Sequence, residues 1–265
     1  VTALAIIIGR AGSKGLPNKN ARLIAGRPCV QWSILDAREC PAIMHVVVST
    51  DGPEIAAAAK ALGCEALPRD ATTASDGATV DAAARDALTR WERAHAPLAD
   101  DAPIALLYAN VPVRPPGLIA AALGRYHQEV CDSVQSFTPV GKHHPWWTVR
   151  VEPSTGALAP WEGQKLFHDT FRRQDLPPAF MPDGGVIVVS RRALRLDVFG
   201  ALPGPHQFFG LRRLGVVSPA GSVIDIDNEI DALVAEAVLT RRSAPADART
   251  HGGSTHAGHS HGEHA

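Results

Sequence analysis

Ala5-Ile6-Ile7-Ile8-Gly9-Arg10-Ala11-Gly12-Ser13-Lys14-Gly15-Leu16-Pro17-Asn18-Lys19-Asn20 decides the reading of this chain. A short apolar run comes first and predicts a buried strand. Gly9, Gly12 and Gly15 follow, interleaved with Arg10, Ser13, Lys14 and Lys19. Glycine lets a backbone approach a ligand closely and turn its N–H groups toward an anion. Two ammonium groups and a guanidinium add positive charge at the same place. The stretch predicts a polyphosphate loop; the plainer alternative is a solvated basic turn after a strand. Ser13 precedes Lys14 and Gly15 follows it, so this is no Gly-Lys-Ser/Thr loop. The G-x-G-x-x-G spacing of dinucleotide sites is missing too.

Outward from this loop the pattern alternates. Strands are predicted at Leu4–Ile8, His45–Thr50, Cys64–Leu67, Ile104–Tyr108, Ser133–Phe137, Gly185–Val189 and Leu214–Val217. Helical spacing marks Val30–Glu39, Glu54–Leu62, Val80–Arg93, Leu118–His127 and Glu229–Thr240, with a short helix starting at Arg191. Strands alternating with helices predict an α/β fold with a mostly parallel sheet. Ligands in such sheets sit beyond the carboxyl ends of the strands. The glycine loop, Asp51 and Asn110 all fall at such ends. Between Thr138 and Met181 the periodicity breaks, and His143-His144-Pro145-Trp146-Trp147 carries bulky aromatics. This segment reads as an excursion from the sheet. Adjacent tryptophans cannot share one face of a strand, so at least one must meet a partner or pack under a loop.

Composition bounds the function. The 265 residues carry a formal charge of −1, so no global basic field attracts nucleic acid. No apolar run approaches the ~20 residues of a membrane span, and no signal-peptide pattern opens the chain. Cys29, Cys40, Cys64 and Cys131 are scattered, which predicts reduced, buried thiols and a cytoplasmic protein. The tail from Ser243 holds His251, His256, His259, His261 and His264. It reads as a disordered, solvated tail; its alternative reading is a binder of transition metals.

Asp225-Ile226-Asp227, with Asp231 four residues on, is the second constellation. In an extended segment, residues two apart share a face, so both carboxylates can approach one hard cation. Mg²⁺ is typically held by one or two carboxylates plus phosphate oxygens. The alternative is that these aspartates only cap the last helix.

Together these residues resemble the acylneuraminate cytidylyltransferases, or CMP-sialic acid synthetases, to about residue 240. The family's Arg-x-x-Ser-Lys-Gly-x-Pro-x-Lys-Asn loop stands here as Arg10 to Asn20. Val48-Ser49-Thr50-Asp51 and Asp225-Ile226-Asp227 match further blocks, and Lys142-His143-His144-Pro145 and Arg173-Gln174-Asp175-Leu176-Pro177 resemble the sugar-side segments. Arg69 with Ala74-Ser75-Asp76 resembles the Arg-Pro-x-x-Leu-Ala-x-Asp block, with Asp70 in place of the proline. The resemblance implies a Rossmann-like nucleotidyltransferase domain over residues 1–138 and 183–242 and a dimerisation excursion over 139–182. It implies CTP contacts by Arg10, Ala11, Ser13, Lys14, Lys19, Asn20, Arg69 and Thr79, and Mg²⁺ on Asp225 and Asp227. Arg10, Lys14 and Lys19 would stabilise phosphate charge. Sugar contacts fall to Tyr108, Lys142, Arg173 and Asp183, with Arg173 reaching the partner subunit of a homodimer. The implied reaction is CMP transfer from CTP to the anomeric hydroxyl of a sialic-acid-like 2-keto sugar acid.

Two departures lie on the sugar side. The family's Leu-Gln-Pro-Thr-Ser-Pro-Leu-Arg segment is Leu107-Tyr108-Ala109-Asn110-Val111-Pro112-Val113-Arg114. Tyr108 replaces a glutamine whose paired donor and acceptor a phenol lacks. Asp183-Gly184 replaces Asn-Gly. The alternative readings are a related acid (legionaminic, pseudaminic or octulosonic) as acceptor, or a binding relative without turnover.

Overall fold

A computed structural model describes residues 2–12, 15–70 and 79–243. The histidine tail beyond 243 lies outside them. The loop's apolar run is β1 (Ala3–Ile8), every residue of it buried. It lies inside a seven-stranded sheet with β4 (Ile43–Thr50) on one side and β6 (Pro103–Tyr108) on the other, both parallel to it. β5 (Glu65–Pro68) extends the sheet beyond β4. Beyond β6 come β10 (Phe180–Ser190), β7 (Ser133–Pro139) and β11 (Arg213–Val217). Only β10 runs antiparallel to its neighbours. The chain leaves β1 for β4 and β5, then returns to β6 on β1's other side. The carboxyl ends of β1 and β6 therefore flank the point where strand order reverses, where such sheets open a crevice.

Residues alternate faces along each strand, so the sheet builds two cores. Ile7, Val48, Ala105 and Leu107 pack with α1 (Cys29–Arg38), α2 (Pro53–Ala61) and α4 (Leu118–Gln128). Leu4, Ile6, Ile104 and Leu106 pack against α3 (Val80–Ala94), which buries Ala83, Ala84, Ala87, Leu88 and Trp91 at helical spacing. Helices on both faces of a mostly parallel sheet give the expected Rossmann-like architecture. All four cysteines are free and buried. Among the described residues no helix is long and apolar enough to cross a membrane.

The hairpin of β2 (Leu23–Ile24) and β3 (Arg27–Pro28) precedes α1, and β2 falls within Arg22–Ala25, which reads in sequence as a short extended piece. Two details differ from the expected pattern. β10 begins at Phe180, five residues before Gly185, with its register interrupted between Pro182 and Ile187. The last helix, α6 (Glu229–Ser243), runs past Thr240, and Ser243 Oγ donates to Leu239 O.

Between β7 and β10 the excursion forms short 3-10 turns and a hairpin of β8 (Val149–Val151) and β9 (Leu158–Pro160). The adjacent tryptophans share one such turn rather than a strand. Trp147 Nε1 donates to Thr170 O at 2.7 Å, and Trp146 stacks on His168 with centroids 4.7 Å apart. Both rings thus pack under the 166–170 turn.

A buried arginine fastens the carboxyl end of β6. Arg114 is 3% exposed. It donates to the carbonyls of Tyr108, Val111 and Gly185, and to Asp36 at 3.2 Å. Removing it strands these acceptors and leaves Asp36 without this partner. Arg114→Met should lower unfolding free energy by about 3 kcal/mol in urea denaturation. A loss below about 1 kcal/mol would show that these bonds are dispensable.

Candidate active site

The glycine loop closes onto the acidic turn. Lys19 Nζ lies 2.7 Å from Asp227 Oδ1, joining residues 208 positions apart. A Cβ at Gly15 would sit 2.6 Å from the Asp227 carbonyl oxygen, so only glycine permits this approach. The loop's start is braced from two sides. Ala11 N donates to Asp51 Oδ1 at 2.9 Å, and buried Asn20 donates through Nδ2 to Arg10 O at 2.8 Å. Ser13 and Lys14 lie outside the described residues.

The acidic turn runs antiparallel to the segment after β6. Val113 bridges Ile224, and Ile226 N donates to Asn110 O at 2.9 Å. Ile226 is fully buried while Asp225 and Asp227 face outward, as alternation requires. Capping of α6 falls to other residues. Asn228 Oδ1 accepts from Asp231 N, and Asp231 Oδ2 accepts from the N–H groups of Asp227 and Asn228. This reciprocal cap leaves the side chains of Asp225 and Asp227 out of the helix start.

Partial desolvation at this solvent-facing position, then the charge of Asp227, pushes the Asp225 carboxyl up to about 6, against the pull of Lys19. Two crowded carboxylates are thus held where a cation would relieve them. Among the described residues no group of three or more His, Cys, Asp or Glu side chains is placed to hold a metal ion together. Asp225 and Asp227 supply two hard oxygen donors, a set that fits Mg²⁺ completed by phosphate oxygens and water.

The other expected site residues stand on other elements. Arg69 follows β5, and its Nε donates to Ser49 Oγ at 2.9 Å. Its Nη2 is buried without a hydrogen-bond partner among the described residues, as is Asn20 Oδ1. Burial lowers the Arg69 pKa, partly offset by Asp51. Thr79 caps α3, accepting from Ala82 N. Thr79 and Tyr108 line a cleft of about 860 Å³ over β10, β7 and β11, walled by Phe137, Ile187, Phe208 and Phe209. Burial, then Asp225, raises the Tyr108 pKa.

The Asp183 carboxylate is engaged within the fold. Its Oδ1 accepts from Ser136 Oγ and from Gly185 N, and its Oδ2 from Ser218 Oγ. It thereby ties β7, β10 and the end of β11 together. Arg173 and Lys142 stand in the excursion. The Arg173 Nη2 lies 2.8 Å from where a Cβ at Gly141 would be, so glycine there makes room for the guanidinium. The Ala74-Ser75-Asp76 block lies outside the described residues.

Asn110 and Arg114 were absent from the expected contacts, although Asn110 stood out at a strand end. Their roles depend on a turn over a hundred residues away and on buried carbonyls, which no local spacing records. Phe208 and Phe209 read only as an apolar pair in sequence.

Comparisons with known proteins find relatives in both sequence and fold. A family model described as cytidylyltransferase matches residues 4–144. A CMP-N,N'-diacetyllegionaminic acid synthase of Legionella pneumophila is 28% identical over 239 residues, covering 89% of this chain and 95% of the relative. An N-acylneuraminate cytidylyltransferase of Streptococcus agalactiae is 29% identical over 190 residues, covering 71% of this chain. The match spans 43% of that longer relative. The solved CMP:2-keto-3-deoxy-manno-octonic acid synthetase complexed with CTP superposes with a TM-score of 0.64 at 18% identity. It covers 91% of this chain and 100% of its own.

Asp225 makes stability depend on pH. In the unfolded chain its pKa is ~4, but folded it keeps its proton up to about 6. The folded state therefore binds more protons in this window, and stability falls as pH rises through it. Asp225→Asn removes that loss. The metal-free variant should exceed the wild type in Tm by roughly 2–4 °C near pH 7.5, and the gap should close near pH 4. An equal gap at both pH values contradicts the assignment.

Proposed function

The chain belongs to the cytidylyltransferase family, and from that premise we propose that this nucleotidyltransferase moves CMP from CTP to the anomeric hydroxyl of a sialic-acid-like 2-keto sugar acid. Pyrophosphate is the leaving group. The observation that carries the reading is the 2.7 Å approach of Lys19 to Asp227, which brings a phosphate loop and a carboxylate pair to one place.

The chain's own groups have separable tasks. Glycine-rich backbone from Gly9 to Gly15 lets the triphosphate approach the main chain closely. Arg10, Lys14 and Lys19 oppose charge that grows on the phosphates during transfer. The unpartnered Arg69 Nη2 and Asn20 Oδ1 offer one donor and one acceptor to the nucleotide. Asp225 and Asp227 would hold Mg²⁺. Bound there, the cation supplies Lewis acidity to the reacting phosphate. Positioning supplies much of such a transfer, and no side chain is assigned as general base.

The acceptor belongs in the cleft lined by Tyr108 at the end of β6 and by an aromatic wall. Phe137, Ile187, Phe208, Phe209 and Leu214 give that wall an apolar character. This chemistry favours acids that carry N-acyl groups over an octulosonate, which has none. The Legionella relative's name points to an acid of the former kind.

The excursion is assigned to pairing with a second copy. Trp161, Phe171, Phe180 and Met181 are exposed there, with Phe171 82% accessible. Lys142 and Arg173 are both exposed there, available to a carboxylate across such an interface.

Pyrophosphate release from CTP and Mg²⁺ tests the reading on a panel of acids. N-acetylneuraminate and diacetyllegionaminate should give kcat/KM at least about tenfold above octulosonate. Preference for octulosonate overturns the apolar-wall reading. Absence of release with every sugar acid overturns the reaction.

A further inference from the structure

We infer that Asn110 is a positioning residue for the transfer, acting through Asp225, so that one oxygen of that carboxylate stays available to a cation. The inference rests on the Mg²⁺ reading of Asp225 and Asp227 above. Asn110 lies two residues past β6, and its side chain crosses to the acidic turn. Its Nδ2 donates to Asp225 Oδ1 and, at 3.2 Å, to Ile226 O. Both partners are acceptors, so the amide nitrogen must face them. The backbone joins in the same grip, with Ile226 N donating to Asn110 O. Side chain and main chain together hold both backbone groups of Ile226, its N–H and its carbonyl.

Asn110 is itself held. Ser33 Oγ, fully buried, lies 2.9 Å from Tyr108 O and 3.1 Å from Val111 O, on either side of Asn110. Arg114 donates to the same two carbonyls. The amide therefore has a fixed base from which to orient the carboxylate.

The consequence falls on Asp225 Oδ2. A Cβ at Gly184 would lie 3.6 Å from that oxygen and 3.7 Å from the Tyr108 ring. Glycine at 184 thus keeps a side chain from covering it. Asp227 follows the same pattern, with Oδ1 taken by Lys19. Each aspartate has one oxygen engaged by a nitrogen donor and the other not used in that contact. Outer partners of this type orient a metal's ligands, and their loss typically costs ~10–100-fold in metal affinity.

The test is Mn²⁺ binding followed by electron paramagnetic resonance with CTP saturating. It compares wild type, Asn110→Ala, Asn110→Thr and Asp225→Asn. Asn110→Ala should need about tenfold more Mn²⁺ for half-saturation. Asn110→Thr, which keeps one donor, should fall between it and the wild type. CTP binding without metal and urea stability should stay at wild-type values in both variants. Wild-type Mn²⁺ affinity in Asn110→Ala overturns the Asn110 inference alone. Equal losses of Mn²⁺ binding, metal-free CTP binding and stability overturn it in favour of a structural role. If the wild type binds Mn²⁺ no better than Asp225→Asn, the metal reading fails and takes the inference with it.

Discussion

Three carboxylates crowd the turn before α6, and each meets a nitrogen donor. Asp231 accepts backbone N–H groups at the helix start. Asp227 meets Lys19 from the glycine loop. Asp225 meets Asn110 from the end of β6. Like charges this close repel, so the turn's geometry depends on those donors. They come from three parts of the chain, and the sheet brings them together. The order β4-β1-β6 sets the loop after β1 beside the segment after β6, and Val113–Ile224 pins the turn alongside.

The donors differ in kind. Asp227 is mostly exposed, so its ion pair with Lys19 contributes little to stability. Such a pair is easily exchanged, and on the proposed function Lys19 would pass from a carboxylate to a phosphate as CTP arrives. The amide of Asn110 carries no charge to trade, and buried Ser33 and Arg114 hold its backbone. One contact is therefore exchangeable and the other fixed. That division suits a centre in which the nucleotide comes and goes while the carboxylates keep their geometry.

Much of this fold could be read from residues alone. The run Ala3–Ile8 has apolar residues throughout, as a strand covered on both faces must. The α3 pattern places Ala83, Ala84, Ala87, Leu88 and Trp91 on one stripe. Gly15 and Lys19 announced a phosphate loop because glycine freedom and positive charge are local properties. What escaped was set by tertiary contact. Asp183 reads in sequence as a charge near the sugar, yet two serines and a backbone N–H take up its oxygens. Arg114 stands in sequence only as the last residue of the Leu107–Arg114 segment; its burial and carbonyl partners come from the fold. The tryptophan pair showed only that a strand could not hold both rings; the 3-10 turn that does so has no comparable signal.

The claim that loop and turn form one nucleotidyl-transfer centre is most directly tested by a crystal structure with CTP and Mn²⁺. Anomalous scattering should place Mn²⁺ between Asp225 and Asp227, with the triphosphate along the loop from Arg10 to Asn20 and Lys19 turned from Asp227 to a phosphate oxygen. A triphosphate bound away from that loop, or Mn²⁺ bound away from both aspartates, would contradict the account.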